Sequence, residues 1–422
     1  MSDHPNMHDL HVPSEPPSAP EMLPSDAFTG SLIGRVHIPA KLTGTVPGPA
    51  PVLVREEGVF DLSPLAPTVA QLVMRLEACR PSFAGTRRLK RIGDYRAIMD
   101  RTLEQARCDK AAVDEAVFLT PIDLQAIKAC GVTFVVSLLE RVIEEKAGGD
   151  PGIAGSVRAR LEKNLGGELR DIVPGSPAAM QLKEALLAED LWSPYLEVGI
   201  GPDAEVFTKA QPLSAVGPGA EVGLHPDSLW NNPEPEIVLI IDPAGQVVGA
   251  TLGNDVNLRD IEGRSALLLG KAKDNNASCA IGPFIRLFDD SFSLDDVRRA
   301  EVRLRIEGTD GFVLEDSSRM GEISRDPLQL VKQTIGPHHQ YPDGLALFTG
   351  TLFAPSQDRD AEGAGFTHKI GDRVSIRADE LGTLFNTVTT SDRAAPWKLG
   401  ISALMNNLSS RGLLGRPYSM ES

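Results

Sequence analysis

Cysteine is scarce in this chain. Cys79, Cys108, Cys130 and Cys279 are the four among 422 residues, widely spaced and without a CxxC pair. That spacing argues against both a zinc site of paired cysteines and a disulfide framework, and favours free buried thiols in a reducing cytosol. Positive charge is also short: 42 Lys and Arg stand against 58 Asp and Glu, giving a formal net charge of −16. Nonspecific attraction to nucleic acid or to an anionic membrane is therefore disfavoured, and neither is expected as a partner. No apolar run approaches the ~18 residues of a membrane span. The start has no basic flank leading into an apolar core, so a secretory leader is not expected. A soluble cytoplasmic protein is the resulting expectation. Internal repeats and coiled-coil heptads are missing as well.

What is present is an ordinary soluble balance, 41% hydrophobic and 24% charged, in a chain long enough for two or more cores. Residues 1–27 hold six prolines and little apolar periodicity, and read as a disordered tail. Residues 28–120 form a first α+β region, with strands expected at 31–36 and 51–55 and a helix opening at Thr68. Thr120-Pro121-Ile122-Asp123 marks a break, and 121–422 form the second and larger region. Within it, Val132, Val135, Leu138, Leu139 and Val142 make an apolar stripe that predicts a helix over 131–146. Further helices are expected around 153–165 and 177–189. After Trp192, short β-rich runs punctuated by Gly, Pro, Asn and Asp continue to about Thr390. The fold class is α+β, with a large irregular β core.

One stretch carries chemistry. Glu234 and Glu236 open the run Ile237-Val238-Leu239-Ile240-Ile241, and strand residues two apart share a face. Asp242-Pro243-Ala244-Gly245 reads as a turn and the residues from Gln246 as a returning strand. A simple hairpin sets Ile241 against Gln246, Glu236 against Thr251 and Glu234 against Gly253, with Asp255 two residues further on the same face. Three converging carboxylates repel one another unless a cation lies between them, and oxygen ligands suit Mg²⁺, Ca²⁺ or Mn²⁺. A solvated strand end with ordinary surface acids is the alternative reading. An anionic substrate would need local positive charge, most simply a metal and a lysine.

Several ordered segments resemble the core of the fumarylacetoacetate hydrolase superfamily. They are Glu234-Pro235-Glu236, the run Thr251-Leu252-Gly253-Asn254-Asp255-Val256-Asn257-Leu258-Arg259-Asp260, Lys271-Ala272-Lys273-Asp274 before Gly282-Pro283, Phe348-Thr349-Gly350-Thr351, and Lys369-Ile370-Gly371-Asp372-Arg373-Val374. The resemblance covers about 126–403 and implies that family's mixed β core. It also implies Mg²⁺, with Mn²⁺ as the alternative, on Glu234, Glu236 and Asp255, with substrate bound on the metal. The longer pattern, including Phe207-Thr208-Lys209, His225 to Glu236, Gly263-Arg264-Ser265-Ala266, Asp274-Asn275-Asn276-Ala277-Ser278 and Gly365-Phe366-Thr367-His368-Lys369, is similar to the bacterial 2-keto-3-deoxy-pentonate dehydratases. The region from Ser31 onward resembles that subgroup's N-terminal extension.

The resemblance implies conversion of 2-keto-3-deoxy-D-pentonate, a sugar acid, to 2,5-dioxopentanoate in oxidative pentose catabolism. Hydrolases of the superfamily use a His–Glu pair on a Gly-x-Asn-Tyr-x-x-His-x-x-Glu helix to activate water. Here the matching stretch is Gly131-Val132-Thr133-Phe134-Val135-Val136-Ser137-Leu138-Leu139-Glu140, with Ser137 in the histidine's place. A serine hydroxyl without an activating partner is a poor base, which favours elimination over hydrolysis. Glu140 is then expected to protonate the departing C4 hydroxyl, and Lys271 to act as C3 base or as a cation facing the enolate. Asp274 is expected to orient the lysine or a water, and Thr351, Lys209 and Ser214 to contact substrate. His338-His339 cannot share a strand face and read as loop residues. A C–C bond hydrolase of a 1,3-dicarbonyl acid and a noncatalytic metal- or sugar-acid-binding protein are the alternatives. A homodimer or homotetramer is implied by family habit.

Overall fold

A computed structural model describes residues 16–83, 85–105, 114–146, 156, 172–188, 192–352, 355, 357–361 and 365–414. Two sheets pack against each other. The larger runs in the order β4 (Lys90–Gly93), β3 (Gly58–Asp61), β2 (Gly48–Arg55), β1 (Ser31–Ile38), β13 (Cys279–Leu287), β11 (Val247–Asp255), β10 (Pro235–Ile241), β16 (Leu345–Phe348), β6 (Ala126–Gly131) and β7 (Glu205–Ala210). A short strand, β5 (Val117–Leu119), also pairs with β1. The smaller sheet is β15 (Val313–Arg319), β14 (Glu301–Glu307), β17 (Arg373–Ala378), β18 (Gly382–Thr390) and β8 (Glu221–Leu224). A two-stranded ladder joins β9 (Asn231–Asn232) to β12 (Asn257–Leu258).

Alternation along β10 sorts its side chains between two cores. Ile237, Leu239 and Ile241 enter the core between the sheets with Val302, Leu304, Ile306, Val374 and Ile376. Val238 and Ile240 face the other way, among Ile33, Leu53, Leu72, Ile281 and Phe348. Because both faces are covered, the strand reads as an unbroken apolar run. Burying each such side chain stabilises the fold by roughly 1.5–3 kcal/mol. Glu234 and Glu236 share the even-numbered face.

Strand β1 pairs with β13 through Leu32↔Arg286 and Ile33↔Ile285, so the sheet crosses the expected boundary at residue 120. The first region adds strands to the larger sheet, and the two regions share one core. Thr68 opens the helix Val69–Met74 as expected, its hydroxyl accepting the Gln71 N–H. The N-terminal expectation needs correction. Within 16–27, Ala19, Met22 and Leu23 are buried against Leu32, Val36 and Tyr95. The Tyr95 hydroxyl donates to Ala19 O at 2.7 Å, and Arg377 and Thr383 both donate to Glu21 O. Prolines erase periodicity, but individual apolar side chains can still dock on an existing surface. Residues 1–15 lie outside the described residues.

The helix expected over 131–146 starts later, at Val135, and ends at Lys146. Gly131 closes β6, Val132 has φ 56°, and Phe134 bridges to Ile323. A side chain at positive φ is disfavoured within a helix, so the chain turns there before the helix begins. With Pro177–Ala188 and Pro194–Ile200 the helix encloses a small core of Leu138, Val142, Ile143, Ala179, Leu186, Leu196 and Ile200. The helix expected near 153–165 lies outside the described residues, apart from Ser156.

Candidate metal centre and active site

The β10–β11 turn is longer than a simple hairpin. Asp242 Oδ1 accepts the N–H groups of Ala244 and Gln246 at 2.9 and 2.8 Å. Ile241 pairs with Val247, and the register shifts at a bulge between Ile240 and Ile241. Glu236 therefore faces Gly253 rather than Thr251, and the Asp255 N–H donates to Glu234 O at 3.0 Å. Glu234 stands across from Asp255, not Gly253. The offset is an even number of residues, so it leaves all three carboxylates on one face.

Their carboxylate oxygens come within 4.8 Å of one another. Relative exposures are 3% for Glu234 and 1% for both Glu236 and Asp255, far from the solvated strand end of the alternative reading. Lys273 Nζ lies 2.5 Å from Glu234 Oε2 and 3.4 Å from Asp255 Oδ2, and 5.6 Å from the centre of the Phe207 ring. Lys209 Nζ lies 2.9 Å from Asp255 Oδ1 and donates to the carbonyls of Lys273 and Val256 at 2.6 and 3.2 Å. On the other side, the Gly350 N–H donates to Glu236 Oε2 at 2.6 Å. Gly350 has φ 99°, and a Cβ there would fall 1.9 Å from Thr133 Oγ1. Thr133 in turn donates to Thr349 O at 2.7 Å, tying this turn to the end of β6.

The two interior acids respond oppositely. Burial, then the charges of Asp255 and Glu234, push the Glu236 carboxyl well above its ordinary range against the pull of Lys273 and the Gly350 N–H. Burial also raises Asp255, but Lys209 and then Lys273 outweigh it and hold that carboxyl low. Three carboxylates facing two ammonium groups carry one net negative charge when all are ionised. A divalent cation reverses that to one net positive charge, the complement of a monoanionic acid. Oxygen donors, burial and this charge deficit fit Mg²⁺ or Mn²⁺.

The other expected site residues are placed differently. Lys271 is not the lysine beside the carboxylates; its side chain is 43% exposed and its Nζ lies 3.2 Å from Asp227 Oδ2. Residues two apart on a helix point to nearly opposite sides, and within Leu269–Lys273 it is Lys273 that turns inward. Lys209, expected to contact substrate, is wholly buried and occupied by Asp255 and two carbonyls. Asp274 is exposed and accepts from Gln211 Nε2 at 3.3 Å, while Ser214 donates to Gln211 O at 2.7 Å. Thr351 is buried next to Gly350. Ser137 and Glu140 fall on the helix Val135–Lys146, with their side chains outside the described set. His338 and His339 are exposed.

Reasoning from sequence missed Lys273, Phe207, Thr133 and the Gly350 N–H. Lys273 was in view within Lys271-Ala272-Lys273, but choosing between the lysines requires the phase of a five-residue helix. Thr133 and Gly350 carry no local signal, because their role arises from strands distant in sequence.

Residues 197–389 match the fumarylacetoacetate (FAA) hydrolase C-terminal family. A probable 2-keto-3-deoxyxylonate dehydratase of Haloferax volcanii is 34% identical over 212 residues, covering 50% of this chain and 69% of the relative. A 2-dehydro-3-deoxy-D-arabinonate dehydratase of Saccharolobus solfataricus is 32% identical over 187 residues, 44% of this chain and 58% of the relative. The solved apo form of a 2-keto-3-deoxy-D-arabinonate dehydratase superposes with a TM-score of 0.55 at 20% identity, covering 85% of this chain and 99% of the other. A 2-keto-3-deoxy-D-arabinonate dehydratase complexed with magnesium and 2,5-dioxopentanoate gives 0.56 at 19% identity with the same coverage. Among the described residues no helix is long and apolar enough to cross a membrane. With its paired glutamates and facing aspartate set at the end of a shared mixed sheet, the chain belongs to the fumarylacetoacetate hydrolase family.

Proposed function

We propose that this protein is a cytoplasmic, homo-oligomeric hydro-lyase that dehydrates 2-keto-3-deoxy-D-pentonate to 2,5-dioxopentanoate with Mg²⁺ or Mn²⁺. The observation that carries the proposal is the buried cluster of Glu234, Glu236 and Asp255 with Lys273 against it. The names of the two relatives support the substrate class.

Glu234, Glu236 and Asp255 would hold the ion. When bound, it supplies Lewis acidity that polarises the C2 ketone and makes a C3 proton easier to remove. Lys209 and the Gly350 N–H fix Asp255 and Glu236 in place. Lys273, rather than the exposed Lys271, sets a positive charge against Glu234 and Asp255, where it would stabilise negative charge developing on the substrate without rearrangement. Loss of a C3 proton and departure of the C4 hydroxyl release one water. Glu140 is assigned the proton for that hydroxyl, on the family resemblance. Moving a proton from C5 to C3 then gives the C4–C5 enol, and passing its hydroxyl proton to C4 yields the C5 aldehyde, with all five carbons retained. Ser137 supports elimination, since the histidine needed to activate a hydrolytic water is replaced.

The test is direct. Purified protein with Mg²⁺ should convert 2-keto-3-deoxy-D-pentonate to a semicarbazide-reactive aldehyde whose mass shows loss of one water. Shorter carbon fragments would establish chain cleavage and refute dehydration.

A further inference from the structure

The ladder carrying the metal site continues past it in the same register. Glu236 faces Gly253, Glu234 stands across from Asp255, and the next pair of that face is Asn232↔Asn257, where β9 meets β12. Each step is two residues along both strands, so Asn232 and Asn257 follow the carboxylates on one face at a rise of roughly 7 Å. The two asparagines differ in what they bind. Asn232 Nδ2 donates to Pro233 O at 2.7 Å, and its Oδ1 accepts from Arg259 Nε at 2.8 Å. The Arg259 guanidinium lies over the Trp230 ring, 5.4 Å from its centre, which holds that donor in place. Asn257 is 0% exposed, and neither its amide nitrogen nor its oxygen has a hydrogen-bond partner among the described residues.

A buried amide with both ends unpaired is costly, and its persistence beside a binding site calls for a ligand group. A hydroxyl answers a donor and an acceptor together, and the substrate's own hydroxyls are such groups. We infer that Asn257 is a specificity-determining residue that reads the C5 hydroxyl of the substrate. This rests on the proposed dehydration. An acid held at that ion by its carboxylate and ketone would extend its far end along this face; the Phe348 and Val238 side chains crowd Gly253 on one side of the carboxylates, which leaves the Asn232–Asn257 pair, about one rung away on the other. The C4 hydroxyl departs during reaction, which leaves the C5 hydroxyl as the lasting partner. Arg259 and Asn232 brace the opposite side of that rung.

Two substrates separate this role from a structural one: 2-keto-3-deoxy-pentonate, and 4-hydroxy-2-oxopentanoate, which keeps the departing hydroxyl and lacks the C5 one. Asn257→Ala should lower kcat/KM for the pentonate by roughly tenfold to a hundredfold, with the loss mainly in KM. Turnover of the analogue and Mg²⁺ affinity by calorimetry should stay within about twofold of wild type. A parallel loss on both substrates, or no loss on the pentonate, would overturn the assignment. If the melting curve shows that Asn257→Ala does not fold, Asn257→Ser replaces it, with a smaller loss expected on the same comparison. A wild-type enzyme that dehydrates neither compound would refute the proposed function and this role with it. Dehydration of both, without altered discrimination in the variant, would refute only the role of Asn257.

Discussion

Replacing Lys273 with methionine removes a buried ammonium while keeping most of the side chain's volume. The group lost lies 2.5 Å from Glu234 and 3.4 Å from Asp255, and both acids are almost wholly enclosed. Taking one partner from a buried ion pair typically costs about 3–5 kcal/mol, because the remaining charge is left without compensation. Without its metal, the Lys273→Met protein should therefore melt roughly 3–6 °C below wild type, since at ~2.1 cal/mol/K of unfolding entropy per residue each kcal/mol is worth about 1 °C in a chain of 422 residues. The local net charge becomes one unit more negative, so saturating Mg²⁺ should recover more of the melting temperature in the variant than in wild type. Activity should not return with stability if Lys273 is the cation of the proposed mechanism; a fall in kcat of about 10²–10³-fold is expected, the scale of losing one preorganised electrostatic contact. Lys271→Met is the control. Its ion pair with Asp227 is exposed and contributes at most about 1 kcal/mol, so stability and turnover should remain close to wild type. Thermal unfolding with and without Mg²⁺, alongside steady-state kinetics of both variants, decides the matter. An inactive Lys271→Met with an active Lys273→Met would refute the placement of the catalytic cation.

Glu236→Ala should lose most Mg²⁺ affinity and turnover while relieving repulsion in the metal-free protein; isothermal titration showing unchanged affinity would remove Glu236 from the ligand set. Glu140→Gln should keep the fold and the metal but lower kcat by about 10²–10⁴-fold. NMR in D₂O should still show deuterium entering C3 of the substrate in that variant, and equal loss of exchange and dehydration would make Glu140 the C3 base instead. His368 is fully enclosed, with Nδ1 3.0 Å from Asp372 Oδ2, and burial holds its pKa below the ordinary 6.5 despite that carboxylate. The folded state thus disfavours the proton that the unfolded chain accepts, so stability is lost as pH falls through about 6.5 toward the lower folded value. His368→Gln should flatten that decline in urea midpoints, and an unchanged slope would assign it to other groups.

The acidic site was legible because it depends on local parity. Glu234 and Glu236 share a strand face whatever the rest of the chain does, and a bulge plus a longer turn moved their partners by an even number of residues, which preserved the face of Asp255. The strands β1 and β2 and the helix after Thr68 were legible for the same reason, each carrying its own periodicity and cap. Periodicity did not reveal where Lys271 and Lys273 point, because five residues of helix have no repeat from which to read a phase. Nor did it show that Lys209 is enclosed behind Asp255, that Met22 docks beside Tyr95, or that β1 joins β13 across the expected boundary. Those relations join residues far apart in the chain. Sequence alone determined which carboxylates share a face; the tertiary structure decided which cations meet them and what closes over them, because burial and long-range pairing are set by how distant segments pack.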